Sequence, residues 1–254
     1  MNDILIHANR FMLVLIRTSG VVMVAPVFGT PMVPMRVKAA FVMLVSFVLT
    51  PVVTCSVPAL DNIAAFGTAA VRELGVGLVM GFSSMLVFSA FDFAGELVGK
   101  QMGLAMGEEA NPLFEDSSTV LSQFHNILAL LLFLSINGHH WFLQALGASF
   151  QRVPLGGMEL SAALTKGMMQ RFIEMFSVGL KMAAPAVCVL LLLTVSLAML
   201  ARAAPMLNML MISISLRIAA GLMLIGLLLP YVYSFGMNLF FNLRTDLDLI
   251  LKAM

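Results

Sequence analysis

Charge is what this sequence has least of. Asp, Glu, Lys and Arg make up 11% of its 254 residues, against 61% hydrophobic ones. A soluble domain carries about 25% charged residues, so too few are present here to cover a water-facing surface. A soluble enzyme is disfavoured on that ground, and so is disorder, which needs low hydrophobicity. The net charge of +1 supplies no basic field to hold nucleic acid. Cysteine is scarce too. Cys55 and Cys188 both lie in apolar runs and form no C-x-x-C, so neither a zinc site nor a redox motif is indicated. The first seven residues, Met1 to His7, hold no Lys or Arg and lack the basic start of a signal peptide; the first apolar run is expected to be retained. Catalytic constellations are missing as well. The histidines are His7, His125, His139 and His140, with no H-E-x-x-H, phosphate loop or G-x-S-x-G. His139 and His140 stand side by side at a helix end, but helical neighbours point about 100° apart and rarely share one ion. No catalytic residue, cofactor or metal is therefore expected. What remains is a polytopic membrane protein, or a chain buried in a larger apolar assembly.

Long apolar runs are what it has most of. About six occur, at residues 11–28, 37–57, 74–93, 120–136, 176–200 and 212–239. A bilayer core needs about 17–25 apolar residues in a helix, and a spanning segment must satisfy its own backbone hydrogen bonds. The runs do not alternate as barrel strands would, so the fold class is all-α with about six long apolar helices. Breaks fall at Pro26, Pro31 and Pro34, at Asp61-Asn62, at 107–118, at Asn137-Gly138, at Pro154-Leu155-Gly156-Gly157 and at Pro205. Between Gly157 and Phe176 the pattern changes. Leu160, Leu164, Met168, Phe172 and Met175 line one face and Ser161, Thr165, Lys166, Gln170, Arg171 and Glu174 the other. This amphipathic helix suits a membrane interface or a partner surface equally.

Gly95, Gly99, Gly103 and Gly107 recur every four residues, echoing Gly77 and Gly81. On a helix they form one ridge where another backbone can approach closely. Three charges, Arg17, Asp92 and Lys181, are embedded in apolar runs. At a bilayer centre each costs roughly 2.5–3.5 kcal/mol, so each should face protein and find a partner. An ion relay is the functional reading and structural pairing the plainer one. Asp92, Glu96 and Lys100 follow at four-residue steps, so Glu96 and Lys100 can pair. Met102 and Met106 share a face just before the most polar stretch of the chain, where their deformable side chains suit a seal. Charge asymmetry between the ends of the runs is too weak to fix orientation.

Several stretches resemble a known family. Arg17-Thr18-Ser19-Gly20, Ala25-Pro26-Val27-Phe28-Gly29 and Arg36-Val37-Lys38-Ala39-Ala40-Phe41 look like the opening of the FliR family of flagellar export proteins. Arg72-Glu73-Leu74-Gly75-Val76-Gly77 continues the match, and Leu132-Phe133-Leu134-Ser135-Ile136-Asn137-Gly138-His139-His140 is its most specific part. Ser149-Phe150, Val153-Pro154-Leu155-Gly156, Ala204-Pro205 with Asn208, and Leu229-Pro230 follow in order. Met206-Leu207-Asn208 and Ser215 depart from the family pattern, which bears on local helix shape only.

The resemblance implies a subunit of the type III secretion export gate, part of the channel wall and its closure. It implies residues 1–157 as a FliP-like part with a plug loop near 105–119, and 158–254 as the amphipathic helix plus a FliQ-like hairpin. The implied plug residues are Met102, Met106, Asn111, Pro112, Leu113 and Phe114. The implied partners are FliP, FliQ and FlhB, with unfolded flagellar proteins as cargo, in the flagellar basal body at the bacterial inner membrane. Two alternatives remain: the equivalent subunit of a virulence injectisome, and a six-helix transporter or channel using Arg17, Asp92 and Lys181 as a coupling site.

Overall fold

The computed structural model of the chain describes residues 2–30, 33–53, 62–104, 119–159, 161–203 and 208–254. Among them all regular structure is helical: α1 (Asn2–Val24), the single turn α2 (Pro26–Gly29), α3 (Met35–Leu49), α4 (Ile63–Met102), α5 (Val120–Ser135), α6 (Gly138–Arg152), α7 (Ala162–Ala203) and α8 (Met209–Ala253).

The expected six spans reduce to fewer. Among the described residues three helices, α4, α7 and α8, are long and apolar enough to cross a membrane, and a fourth span is reached only if α5 and α6 count as one across their 70° bend. Proline and polar residues explain the difference. α1 stops before Pro26 and carries Asn9, Arg10, Arg17, Thr18 and Ser19 along its length. α3 stops before Pro51 after 15 residues, short of a bilayer core. The amphipathic stretch is not a separate helix either. Ser161 caps it, accepting from the Leu164 N–H at 3.0 Å, and it then runs without a break into the apolar part of α7.

Local chemistry sets the other ends. α4 closes in a Schellman turn: Gly103 has φ 84°, its N–H donates to the Lys100 carbonyl, and the Leu104 N–H reaches back to Gly99. Thr119 caps α5, its Oγ1 accepting from the Ser122 N–H at 3.2 Å. Asn137, at φ 56°, turns the chain between α5 and α6, and asparagine tolerates that left-handed position better than most residues.

The chain forms two compact units. The first comprises Met1–Val87, Phe133–Phe172 and Phe240–Met254. Its core holds Leu13, Val14, Val76, Met80, Leu146 and Phe150. The second comprises Phe88–Leu132 and Ile173–Leu239, with Phe91, Met102, Ala129, Met182 and Leu190 buried. The division cuts α4, α5, α7 and α8 within their lengths, so each unit takes a part of all four.

Candidate functional site

Glycine decides where α4 touches its neighbours, and the charges follow. In the first unit, a Cβ on Gly77 would stand 3.0 Å from the Val21 N and 3.1 Å from the Gly20 Cα, and one on Gly81 would stand 3.1 Å from the Val21 carbonyl. α1 and α4 therefore meet backbone to backbone. One turn along each helix, Arg17 and Glu73 are brought together, both fully buried. Arg17 Nε donates to Glu73 Oε2 at 2.6 Å and Nη2 to Oε1 at 3.0 Å, a two-pronged pair. Nη2 also donates to the Val153 carbonyl at 3.0 Å, and Nη1 to Ser149 Oγ at 3.1 Å. The Phe150 ring lies 4.3 Å from the guanidinium carbon. Glu73 Oε1 further accepts from the Gly156 N–H at 2.7 Å. One buried pair thus ties α1, α4, α6 and the turn at 153–157 together.

The second unit repeats the arrangement. A Cβ on Gly95 would come within 2.7 Å of the Ser122 Cα and 2.8 Å of the Leu121 carbonyl, and one on Gly99 within 2.9 Å of Thr119 Oγ1. The start of α5 lies directly on this part of α4. Asp92 then accepts a short hydrogen bond from Ser122 Oγ. Glu96 Oε2 accepts from both Thr119 Oγ1 at 3.0 Å and the Thr119 N–H at 3.3 Å, while its other oxygen lies 3.1 Å from Lys100 Nζ. Both sides of the polar stretch 105–118 are therefore anchored at one end of α4, at Gly103 and at Thr119.

The expected site residues divide accordingly. Gly95 and Gly99 sit against α5 of the same chain, whereas Gly103 ends the helix and does not extend the ridge. Met102 is fully buried, its side chain occupying the space beside Gly221 of α8. Met106, Gly107, Asn111, Pro112, Leu113 and Phe114 lie outside the described residues. Arg17 and Asp92 have separate partners, and Lys181 is exposed on α7 with no ion pair among the described residues. Sequence reasoning missed Glu73 as the partner of Arg17. It stands one residue before the apolar run at 74–93 and so looked like a flank, although it lies one helical turn from Gly77. Among the described residues no three His, Cys, Asp or Glu side chains are grouped to hold a metal.

The family model described as bacterial export proteins, family 1, matches residues 8–243. The chain belongs to that export protein family. Among its relatives, Flagellar biosynthetic protein FliR of Escherichia coli K12 is 32% identical over 247 residues, which cover 94% of this chain and 92% of that protein. The FliR of Pectobacterium carotovorum is 30% identical over 248 residues, covering 96% and 95% of the two chains. The FliR of Bacillus subtilis is 28% identical over 203 residues, covering 77% and 76%. The family match takes in both anchored networks, Arg17 with Glu73 and Glu96 with Thr119. An apolar, all-helical membrane protein is what family membership and the long helices α4, α7 and α8 together describe.

Proposed function

We propose that this chain is a subunit of the flagellar type III protein export gate, and that it forms part of the channel wall and of the channel's closure. It works as a structural element and not as an enzyme. Its partners are FliP, FliQ and FlhB, its cargo is unfolded flagellar protein, and its place is the bacterial inner membrane within the flagellar basal body. Residues 1–157 act as the FliP-like part and 158–254 as the FliQ-like hairpin. The observation that carries the reading is the export-family match over residues 8–243 together with near-complete coverage of the FliR relatives.

Closure is assigned to the stretch between Gly103 and Thr119. An irregular segment at membrane depth must line a cavity or be covered by protein. The stretch 105–118 contains Glu108, Glu109, Glu115 and Asp116 beside the apolar Leu113 and Phe114. Leu113 and Phe114 would serve as the stopper and the four acids would keep the stretch hydrated; the anchored flanks at Gly103 and Thr119 support this reading. Apolar constrictions of this kind exclude ions while closed.

The test is deletion of the gene in its own host, followed by complementation. Loss of hook and filament protein from the culture medium, restored by the intact gene, is expected, and the chain should copurify with FliP and FliQ. Normal export of flagellar protein without this chain would refute the reading.

A further inference from the structure

The last turns of α8 carry Arg244, Asp246, Asp248 and Lys252, just past the apolar run that ends near residue 239. Both acids are already taken. Asp246 lies 2.5 Å from Arg171 Nη2 and Asp248 lies 2.8 Å from Arg152 Nη1. Arg244 is exposed and has no acidic partner among the described residues. Its guanidinium lies 5.7 Å from the centroid of the Trp141 ring, and Trp141 packs on Phe241 at 5.5 Å between centroids. Trp141 adjoins the buried Phe133, Phe142, Phe240, Leu243 and Leu247, whereas the Phe241 ring is 51% exposed. All of these residues belong to the first compact unit.

We propose that Arg244, Trp141 and Phe241 form a binding site for an anionic phospholipid, its phosphate on the Arg244 guanidinium and an acyl segment against the exposed Phe241 ring. Three features favour this occupant. An indole beside an arginine, where an apolar helix run meets charged residues, is the composition of a bilayer–water boundary. A guanidinium matches a phosphate with two parallel N–H donors. An acidic side chain from another protein would satisfy Arg244 but leave the exposed Phe241 ring beside Trp141 uncovered, whereas a phospholipid covers both.

Trp141 is the chain's one tryptophan, so its fluorescence reports on this site alone. The full chain is reconstituted in vesicles in which either phosphatidylglycerol or phosphatidylcholine, at equal mole fraction, carries brominated acyl chains. Brominated phosphatidylglycerol should quench Trp141 as though enriched about fivefold beside it, the effect of one basic side chain at a membrane surface. Arg244→Gln should bring the two lipids level, and 0.5 M NaCl should shrink the preference in the unaltered chain. Equal quenching by both lipids in the unaltered chain would overturn the proposal. So would a phosphatidylglycerol preference that survives Arg244→Gln, or, if that variant fails to fold, one that salt leaves unchanged. In the complete complex, the signal lost on Trp141→Phe isolates the same residue. A preference present in the chain alone and abolished there would assign Arg244 to a protein acid and would equally overturn it.

Discussion

Arg17 donates four hydrogen bonds and offers its face to Phe150, yet a pair so deeply buried is not thereby a source of net stability. Removing two charges from water costs nearly as much as their attraction returns. What the pair supplies is dependence, since either member left alone is a bare buried charge. Arg17→Met and Glu73→Leu should each lower stability by about 3–5 kcal/mol. The double variant should be less damaged than the sum of the two singles. Thermal unfolding of the detergent-purified chain checks this, and simple additivity would mean that the two side chains act separately. The need for a partner to Arg17 was legible in the sequence, because an arginine inside an apolar run must be compensated. Which partner was not, because the crossing of α1 and α4 at Gly20 and Gly77 is a tertiary fact.

At the scale of the element, glycine spacing and proline position divide the work. Gly95 and Gly99 mark a contact that the sequence indicated by spacing alone, but the same spacing ran on to Gly103, where the helix ends. Periodicity does not distinguish a ridge glycine from a capping one, because both leave the same mark in the chain. Gly95→Ala should destabilise, since the added carbon meets the backbone of Ser122 and Leu121, which cannot turn aside. Gly226→Ala should stabilise the isolated chain by roughly 0.5–1 kcal/mol, because nothing lies within 4 Å and alanine is the better helix former. Comparing the two melting temperatures decides it, and a Gly95→Ala chain as stable as the parent would remove the close-contact argument. The prolines act in the reverse sense. Pro185 has no N–H to give, so the Lys181 carbonyl loses its helical donor, and Tyr231 of α8 donates its hydroxyl there at 3.2 Å. Tyr231→Phe should cost about 0.5–1.5 kcal/mol beside Pro185 and less beside Pro185→Ala, where the helix satisfies the carbonyl itself. Unfolding free energies of the four chains in that cycle measure the difference, and an equal cost in both backgrounds would show that the hydroxyl does not serve that carbonyl.

Across the whole molecule, apolar composition announced a membrane protein correctly and overcounted its spans. The error has one cause: hydropathy counts side chains, whereas α1 and α3 are cut short by where prolines fall and where polar residues interrupt. Large apolar side chains such as Phe47 on α3, Leu192 on α7 and Met223 on α8 remain exposed in the single chain, as expected of surfaces meant for lipid or for other subunits. Helix end signals at Gly103 and Thr119 were present in the sequence as a glycine and a threonine, but that both are held on α4 became visible only with Glu96 beside Thr119.

If the stretch between Gly103 and Thr119 closes the channel, its shortening must open a leak. Cells making the complete export complex with Asn111–Glu115 removed from this chain would be compared with cells making the intact complex, by ion conductance of the membrane or by sensitivity to a small toxic solute. The shortened chain is expected to assemble still, and the membrane to become leaky. A shortened chain that assembles and leaks no more than the parent would contradict it.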